Sequence, residues 1–373
     1  MQGLQVPHIR NASLEDYGRI SVLQRRNNIP ETPRERWINL WLGNPAFKRR
    51  RAESPIGWIL ETAENDIVGF IGNIPLIYRL GGQVVHAATA TSWVVDREYR
   101  GYSTLILERF IKQKGIDLLV FTTVSPDAEP LLNSLRFSQV PVGTWNTSAF
   151  WIVSNVNVSR SILRAKSVPF VRALCYPVAG VLSCHEIFRR LRITKPVTAP
   201  SYGVEQASEF DARFDQFWEE LKHQNEDVLL AVRTRETLAW HFQDALSRQN
   251  AWVLAASNGQ RIIAYAAFDR QDNRALGLRR IRLVDFQALK GSENALPLLL
   301  SSALSKCRQR RIDMMEIVGD WLNRPNLPEI IAPYQRKLSS WIWYYKAKDT
   351  HLSETLREPR AWAPSLFDGD ASL

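Results

Sequence analysis

The chain has 373 residues, of which 45% are hydrophobic and 13 are Trp, and it carries a net charge of +10. That length favours two domains over one, and each half has enough apolar residues to build a core. The charge implies attraction to anions such as a nucleotide cofactor, an anionic lipid or nucleic acid. No nucleic-acid-binding module is recognisable, so no nucleic-acid partner is expected.

In chain order, the opening residues MQGLQVPHIRNASLEDYG lack a basic region followed by an apolar one, which predicts no secretory leader. A first strand is expected at Val6–Ile9, then a helix over Leu14–Arg26 capped by Asn11 or Ser13. A second helix follows Thr32-Pro33, over about Glu35–Leu42, and stops near Asn44-Pro45. The β-type run from Gly57 to Val95 is punctuated by Glu64-Asn65-Asp66 and by Gly81-Gly82, and reads as a three-stranded antiparallel meander. A helix over Thr104–Lys114, a buried strand over Asp117–Val124, a helix over Asp127–Leu135 and a final strand pair through Trp145–Ser154 complete the first half.

The segment TSWVVDREYRGYSTLIL, Thr91–Leu107, carries the chemistry. A strand ends, a turn carries Arg100-Gly101 with Ser103 and Thr104, and a helix begins. Backbone N–H groups at such a turn, together with the helix dipole, make an anion site. This order of strand, Arg-Gly loop and helix resembles the pyrophosphate-binding segment of the GNAT acyltransferase superfamily. The family pattern R-G-x-G-x-G/A is met only in part, because Ser103 and Leu105 replace its later small residues.

The resemblance implies acyl-coenzyme A, acetyl-coenzyme A or a longer acyl form, as co-substrate. It implies that Trp93, Val94 and Val95 contact the cofactor through backbone groups. Arg100, Gly101, Tyr102, Ser103 and Thr104 would hold its pyrophosphate, with Ser125 as a further contact. The helix after the buried strand matches the family at Ala128, Leu131 and Phe137. It has Leu132 where the family places its acidic Tyr, so that proton donor is absent. His86, Ser92 and Asp96 lie on or near the central strand and are the candidate catalytic residues, His86 being the best base by type. No metal is expected: Cys184-His185-Glu186 is contiguous, whereas metal ligands on a helix need spacing of three or four.

The second half repeats the plan. Trp240 echoes Trp41, Ala251–Phe268 echoes Gly57–Gly72, Val284-Asp285 echoes Val95-Asp96, Arg311–Trp321 echoes the buried strand, and Ser339–Lys346 echoes the last strand. Five segments in one order, offset by 189 to 199 residues, argue for a tandem repeat. The expected class is α+β, an α/β mixed sheet in each of two GNAT-like lobes. The lobes are 1–155, which binds acyl-coenzyme A, and 200–373, which has Lys290-Gly291-Ser292 in place of the Arg-Gly loop and is degenerate.

Residues 156–199 form a basic helical linker broken by Pro169 and Pro177. It reads as a packing element between the lobes, and also as a surface for an anionic membrane through residues 160–195. Its most apolar stretch, Ala173–Cys184, is shorter than the roughly 20 residues a bilayer needs. Cys175, Cys184 and Cys307 form no even disulfide framework. A cytoplasmic protein is expected, at the inner face of the membrane if the linker docks there.

The segments Phe210–Leu221, Arg233–Phe242, Leu278–Phe286 and the tail Trp362–Leu373 resemble bacterial tandem GNAT-like proteins that accompany exopolysaccharide biosynthesis genes. That implies a saccharide or cell-envelope acceptor, bearing an amine or a hydroxyl. The alternatives are a catalytically inactive double-lobe binding protein and a Fem-type aminoacyl transferase. Trp93, Trp145, Trp151, Trp341 and Trp343 are expected on strands that can line a cleft. The acidic tail Asp368-Gly369-Asp370 is expected either to bond acceptor hydroxyls or to fray.

Overall fold

The computed structural model describes residues 6–50, 54–143, 145–191, 202–319, 334–338 and 341–373, with side chains omitted at 186–191. Two mixed sheets, each flanked by helices, form the molecule. The first half opens with β1 (His8–Asn11), a 3-10 turn and α1 (Tyr17–Arg26). Ser13 is the cap at this start, where its amide bonds Asp16 Oδ2 at 2.8 Å.

Next comes α2 (Arg34–Leu42), then a short helix the sequence reading lacked, α3 (Pro45–Arg50). Asn44 Oδ1 accepts from the Ala46 amide at 2.9 Å, so the residue read as a stop caps a new turn. The meander is β2 (Gly57–Glu61), β3 (Ile67–Leu80) and β4 (Gln83–Val95). After it come α4 (Ser103–Ile111), β5 (Leu118–Val124), α5 (Glu129–Ser134), β6 (Ser138–Gln139) and β7 (Thr147–Ile152).

A helical hairpin, α6 (Asn155–Ala165) and α7 (Val171–Leu191), joins the halves. The second half runs β8 (Gly203–Ala207), α8 (Ala212–Gln224), β9 (Leu230–Ala231), α9 (Arg235–Ser247), β10 (Ala251–Asn258), β11 (Arg261–Arg270) and β12 (Arg280–Ala288). Then come α10 (Ala295–Gln309), β13 (Met314–Val318), β14 (Tyr334–Lys337), β15 (Ile342–Ala347) and α11 (Thr350–Thr355). The end of the echoed segment at Asp320-Trp321 lies outside the described residues.

The expected final strand pair does not form. The first sheet has the order β1-β2-β3-β4-β5-β15-β6, with β9 on β3, and the second β14-β7-β13-β12-β11-β10-β8. Thus β7 and β15, which echo each other in sequence, have changed places. Strand β7 pairs β13 in the second sheet (Trp151 opposite Met315), and β15 pairs β5 in the first (Tyr344 opposite Phe121). A cut in the chain at 155 therefore does not separate the two sheets. The only parallel pairs among the described strands are β4–β5 and β12–β13, one in each sheet.

Helices α4 and α5 cover one face of the first sheet through Ile106, Phe110, Leu119, Phe121 and Leu132. Helix α10 covers the corresponding face of the second. Between the sheets lies a shared core that includes Tyr78, Val120, Trp145, Tyr265, Trp343, Trp362 and Phe367. Trp145 packs on Trp343 with centroids 4.6 Å apart, so a ring from each half meets at this seam. Trp151, Trp145 and Trp343 are buried and belong to cores, whereas Trp93 and Trp341 are half-buried.

Candidate functional site

Strands β4 and β5 pair only at Ala87–Leu118, Ala88–Leu119 and Thr89–Val120, and then part. On its other side, β4 keeps pairing with β3 but slips register between Phe70 and Gly72. That bulge holds Ser92 and Trp93, with Ser92 at φ 51° in the left-handed region. From Ala90 to Val95 the strand edge facing β5 has no β5 partner, so its peptide groups line a V-shaped opening. The Thr89 hydroxyl at the apex is wholly buried and has no hydrogen-bond partner. An orphaned buried hydroxyl beside an opened strand edge suits a polar ligand.

The expected cofactor residues fall along this V. Val94 and Val95 put their side chains into the cores on opposite faces, leaving only their backbone for a ligand. Trp93 lies over Phe121, centroids 6.1 Å apart, on the α4–α5 face. The turn after β4 is not an open loop. Arg97–Tyr102 coil as a 3-10 turn running into α4, with Asp96 as its N-cap. The Ser103 amide is already given to the Arg100 carbonyl. Of the expected anion contacts, Arg100, Gly101 and Thr104 are exposed, and a side chain at Gly101 would meet nothing within 4 Å. Tyr102 and Ser103 are half-buried behind them. Ser125 is exposed at the start of the turn leading into α5.

The three candidate catalytic residues are not brought together. His86 lies six residues before the bulge, roughly 20 Å along the strand. Its backbone is tied to Asp117, whose Oδ2 accepts from the His86 amide at 2.8 Å. Asp96 is engaged by Asn27 Nδ2 at 2.7 Å and by the Arg26 guanidinium, which fastens α1 to the end of β4. Only Ser92 stands in the V.

The residues that complete the site come from the far end of the chain. The tail after α11 threads between the sheets and does not fray. Trp362, Leu366 and Phe367 are buried there. A fully buried ionic cluster pins it. Arg233, between β9 and α9, donates to Asp285 Oδ2 at 2.8 Å and Oδ1 at 3.0 Å, to Asp368 Oδ1 at 2.7 Å and to the Ala231 carbonyl at 2.7 Å. Tyr265 and Gln287 complete Asp285 at 2.6 and 3.0 Å. Arg233 and these donors hold Asp285 below the usual carboxylate range against its burial, whereas burial raises Asp368 to about 6. The expected equivalence of Asp285 with Asp96 fails: Asp285 sits inside β12 beside that strand's own bulge, opposite Ala267, not beyond the strand end.

The cluster also closes the matching region of the second lobe. In the Lys290-Gly291-Ser292 turn the Lys290 amide is held by Gln224 Oε1 at 2.7 Å.

Past Asp368, the tail reaches the first V. The Tyr78 hydroxyl donates to the Asp368 carbonyl, and Gly369 packs so closely on Thr122 that a Cβ there would lie 2.2 Å from Thr122 Cγ2. Asp370 accepts from Thr122 Oγ1, two residues beyond the last β4–β5 pair. Trp145 Nε1 donates to the Thr122 carbonyl at 3.2 Å, fixing that residue from the other side. Burial raises the Asp370 carboxyl to about 6, against the hydrogen bonds from Thr122 and Thr123. It is therefore a half-buried carboxylate able to take a proton near neutral pH.

Two residues on, Ser372 and Leu373 border a polar cavity of about 640 Å³ between α2 and α9. Arg36, Asn39, Trp240, His241 and Asp269 line it. Burial lowers His241 to about 3, so it is neutral there and shares a 2.9 Å hydrogen bond with Ser372 Oγ. Burial raises Asp269 to about 6.

Compared as a sequence, the chain matches no protein-family model and no curated protein. Compared as a structure, it is similar to N-myristoyltransferase of Saccharomyces cerevisiae with bound myristoyl-CoA. The TM-score is 0.58 at 12% identity, covering 93% of this chain and 80% of that one. A GCN5-related N-acetyltransferase from Anabaena variabilis gives 0.54 at 13% identity, covering 92% and 73%. A protein of unknown function from Enterococcus faecalis, described as a probable N-acyltransferase, gives 0.55 at 10% identity, covering 91% and 72%. At these identities the likeness is one of fold, and it spans both halves: the chain has the two-lobed GNAT fold.

Proposed function

We propose that this protein transfers an acyl group from acyl-coenzyme A to an amine or hydroxyl of a saccharide or related cell-envelope acceptor. The observation that carries this is the place of Asp370, bonded to Thr122 at the mouth of the β4–β5 opening and two residues from the polar cavity. A donor groove, a base and an acceptor cavity thus follow one another. The orphaned Thr89 hydroxyl and the clear space at Gly101 fit a bound pantetheine and pyrophosphate, with Arg100 supplying positive charge.

Acyl-coenzyme A supplies a thioester that is already activated, so the protein needs to bind, orient and move protons. Asp370 accepts the proton of the acceptor nitrogen or oxygen as that atom attacks the carbonyl carbon and the carbon–sulfur bond breaks. The backbone N–H groups of the β4 bulge would be the donors to the carbonyl oxygen. Leu132 and the hydrogen-bonded phenol of Tyr344 (given to Glu129 Oε1 at 2.8 Å) leave the departing thiolate to take its proton from water. The cavity lining of Asn39, Asp269, Arg36 and Trp240 supports a hydroxyl-rich acceptor, since sugars use hydrogen bonds on their edges and aromatic faces on their flats. The likeness of the tail segment to exopolysaccharide-associated proteins points the same way.

The test is acceptor-dependent release of coenzyme A from acetyl-coenzyme A over a panel of amino sugars and lipid-linked sugars. Asp370→Asn should lower kcat by about 100-fold or more with little change in cofactor affinity. No turnover with any acceptor, alongside intact cofactor binding, would leave the inactive binding protein as the correct reading.

A further inference from the structure

We propose that the α6–α7 hairpin is a docking surface for an anionic lipid bilayer. This is independent of the acyl-transfer reading. Of the ten exposed large hydrophobic residues in the described structure, five lie here: Ile162, Phe170, Leu174, Tyr176 and Val181. Phe170 is 83% exposed, Val181 70% and Tyr176 64%, values that mark a face with nothing packed on it.

The pattern is directional. Cys175 and Ala179 are buried, and Asn155 Nδ2 donates to Ser183 Oγ at 2.7 Å, so this side of α7 faces α6. Helix α6 in turn packs inward through Val158 onto Leu278 and Met314. Leu174, Pro177 and Val181 recur at spacings of three and four, which places them in one stripe on the opposite side of the helix. Phe170 stands at the hairpin tip with φ 56°, where its ring leads.

Charge selects the occupant. Residues 155–185 contain Arg160, Arg164, Lys166 and Arg172 and no Asp or Glu. Lys166 and Arg172 are exposed beside the apolar tip. An apolar ridge whose charged neighbours across residues 155–185 are all cations matches the boundary between anionic headgroups and acyl chains. No described helix is long and apolar enough to cross a membrane, so the hairpin would lie on the surface.

Flotation of the full-length protein with phosphatidylcholine vesicles, with and without phosphatidylserine, tests this. The expected result is binding to the anionic vesicles only, weakened by added salt. Each basic residue at such a surface strengthens binding about fivefold, so Lys166→Ala with Arg172→Ala should weaken it about 25-fold. Phe170→Ser with Val181→Ser should weaken it at least about tenfold. All four positions are exposed, and unchanged thermal unfolding of both variants would show that folding is intact. Equal binding to neutral and anionic vesicles, or no binding to either, would overturn the proposal. So would a concentration-dependent dimer, seen by sedimentation, that Phe170→Ser with Val181→Ser dissolves: a second copy would then be the occupant.

Discussion

Replacing Arg233 with methionine keeps the apolar stem and removes the guanidinium at the centre of the buried cluster. Asp285 then loses two of its donors and keeps Tyr265 and Gln287, Asp368 loses its cation, and the Ala231 carbonyl loses its partner. Removing one member of a buried ion pair destabilises by about 3–5 kcal/mol, because a charge is left unpaired away from water. A chain of this length loses about 0.8 kcal/mol per kelvin near its midpoint, so Tm should fall by about 4–6 °C. The deficit should also depend on pH. In the wild type Asp285 is held low; without Arg233 burial raises it, as it already raises Asp368. Carboxyls with raised values favour the folded state below their unfolded value near 4, and that contribution is lost as pH rises through the folded value. The variant should therefore lag the wild type more at pH 8 than at pH 5, in thermal unfolding followed by circular dichroism. A Tm within about 1 °C of wild type at both pH values would refute the view that this cluster pins the tail.

Other outcomes follow from the same geometry. A fragment ending at Val158 lacks β15 and the tail, leaving β5 with a bare edge and Trp145 without Trp343; it should be molten or insoluble, and a well-dispersed amide spectrum would contradict the strand exchange. The Arg10 guanidinium holds Asp16 and Glu61 at about 2. Their contribution is in place above the unfolded carboxyl value near 4 and is lost as pH falls toward 2, so Arg10→Gln should cost stability in urea melts at pH 7 and much less at pH 2. Trp93→Ala removes the ring lying over Phe121, and should let longer acyl chains be used in a chain-length series; an unchanged acyl preference would show that the ring does not limit that space.

Much of the fold was legible because the elements announce themselves locally. The meander turns at Asn65 and Gly81-Gly82 and the β4–α4–β5 order follow from period and punctuation. The exchange of β7 and β15 was not legible. Both strands carry the same alternation, and which sheet they join is decided by partners such as Met315 and Phe121 far along the chain. The same limit applies to the site. The Arg-Gly motif points to the β4 backbone and Arg100 as candidates, and the structure places both beside the β4–β5 opening. Asp96 looked catalytic by position, but Arg26 and Asn27 engage it across 70 and 69 residues. Asp370 reaches Thr122 from 248 residues away. The acidic tail gave a signal for Asp370, but only the buried Arg233 cluster fixes where the tail goes.

The most direct measurement is isothermal titration of acetyl-coenzyme A into the wild-type protein and into Arg100→Glu. Saturable binding to the wild type, weakened at least about tenfold when the charge beside the pyrophosphate is reversed, is the predicted result. Equal affinity of the two proteins, or no binding to the wild type, would contradict a cofactor site in the β4–β5 opening.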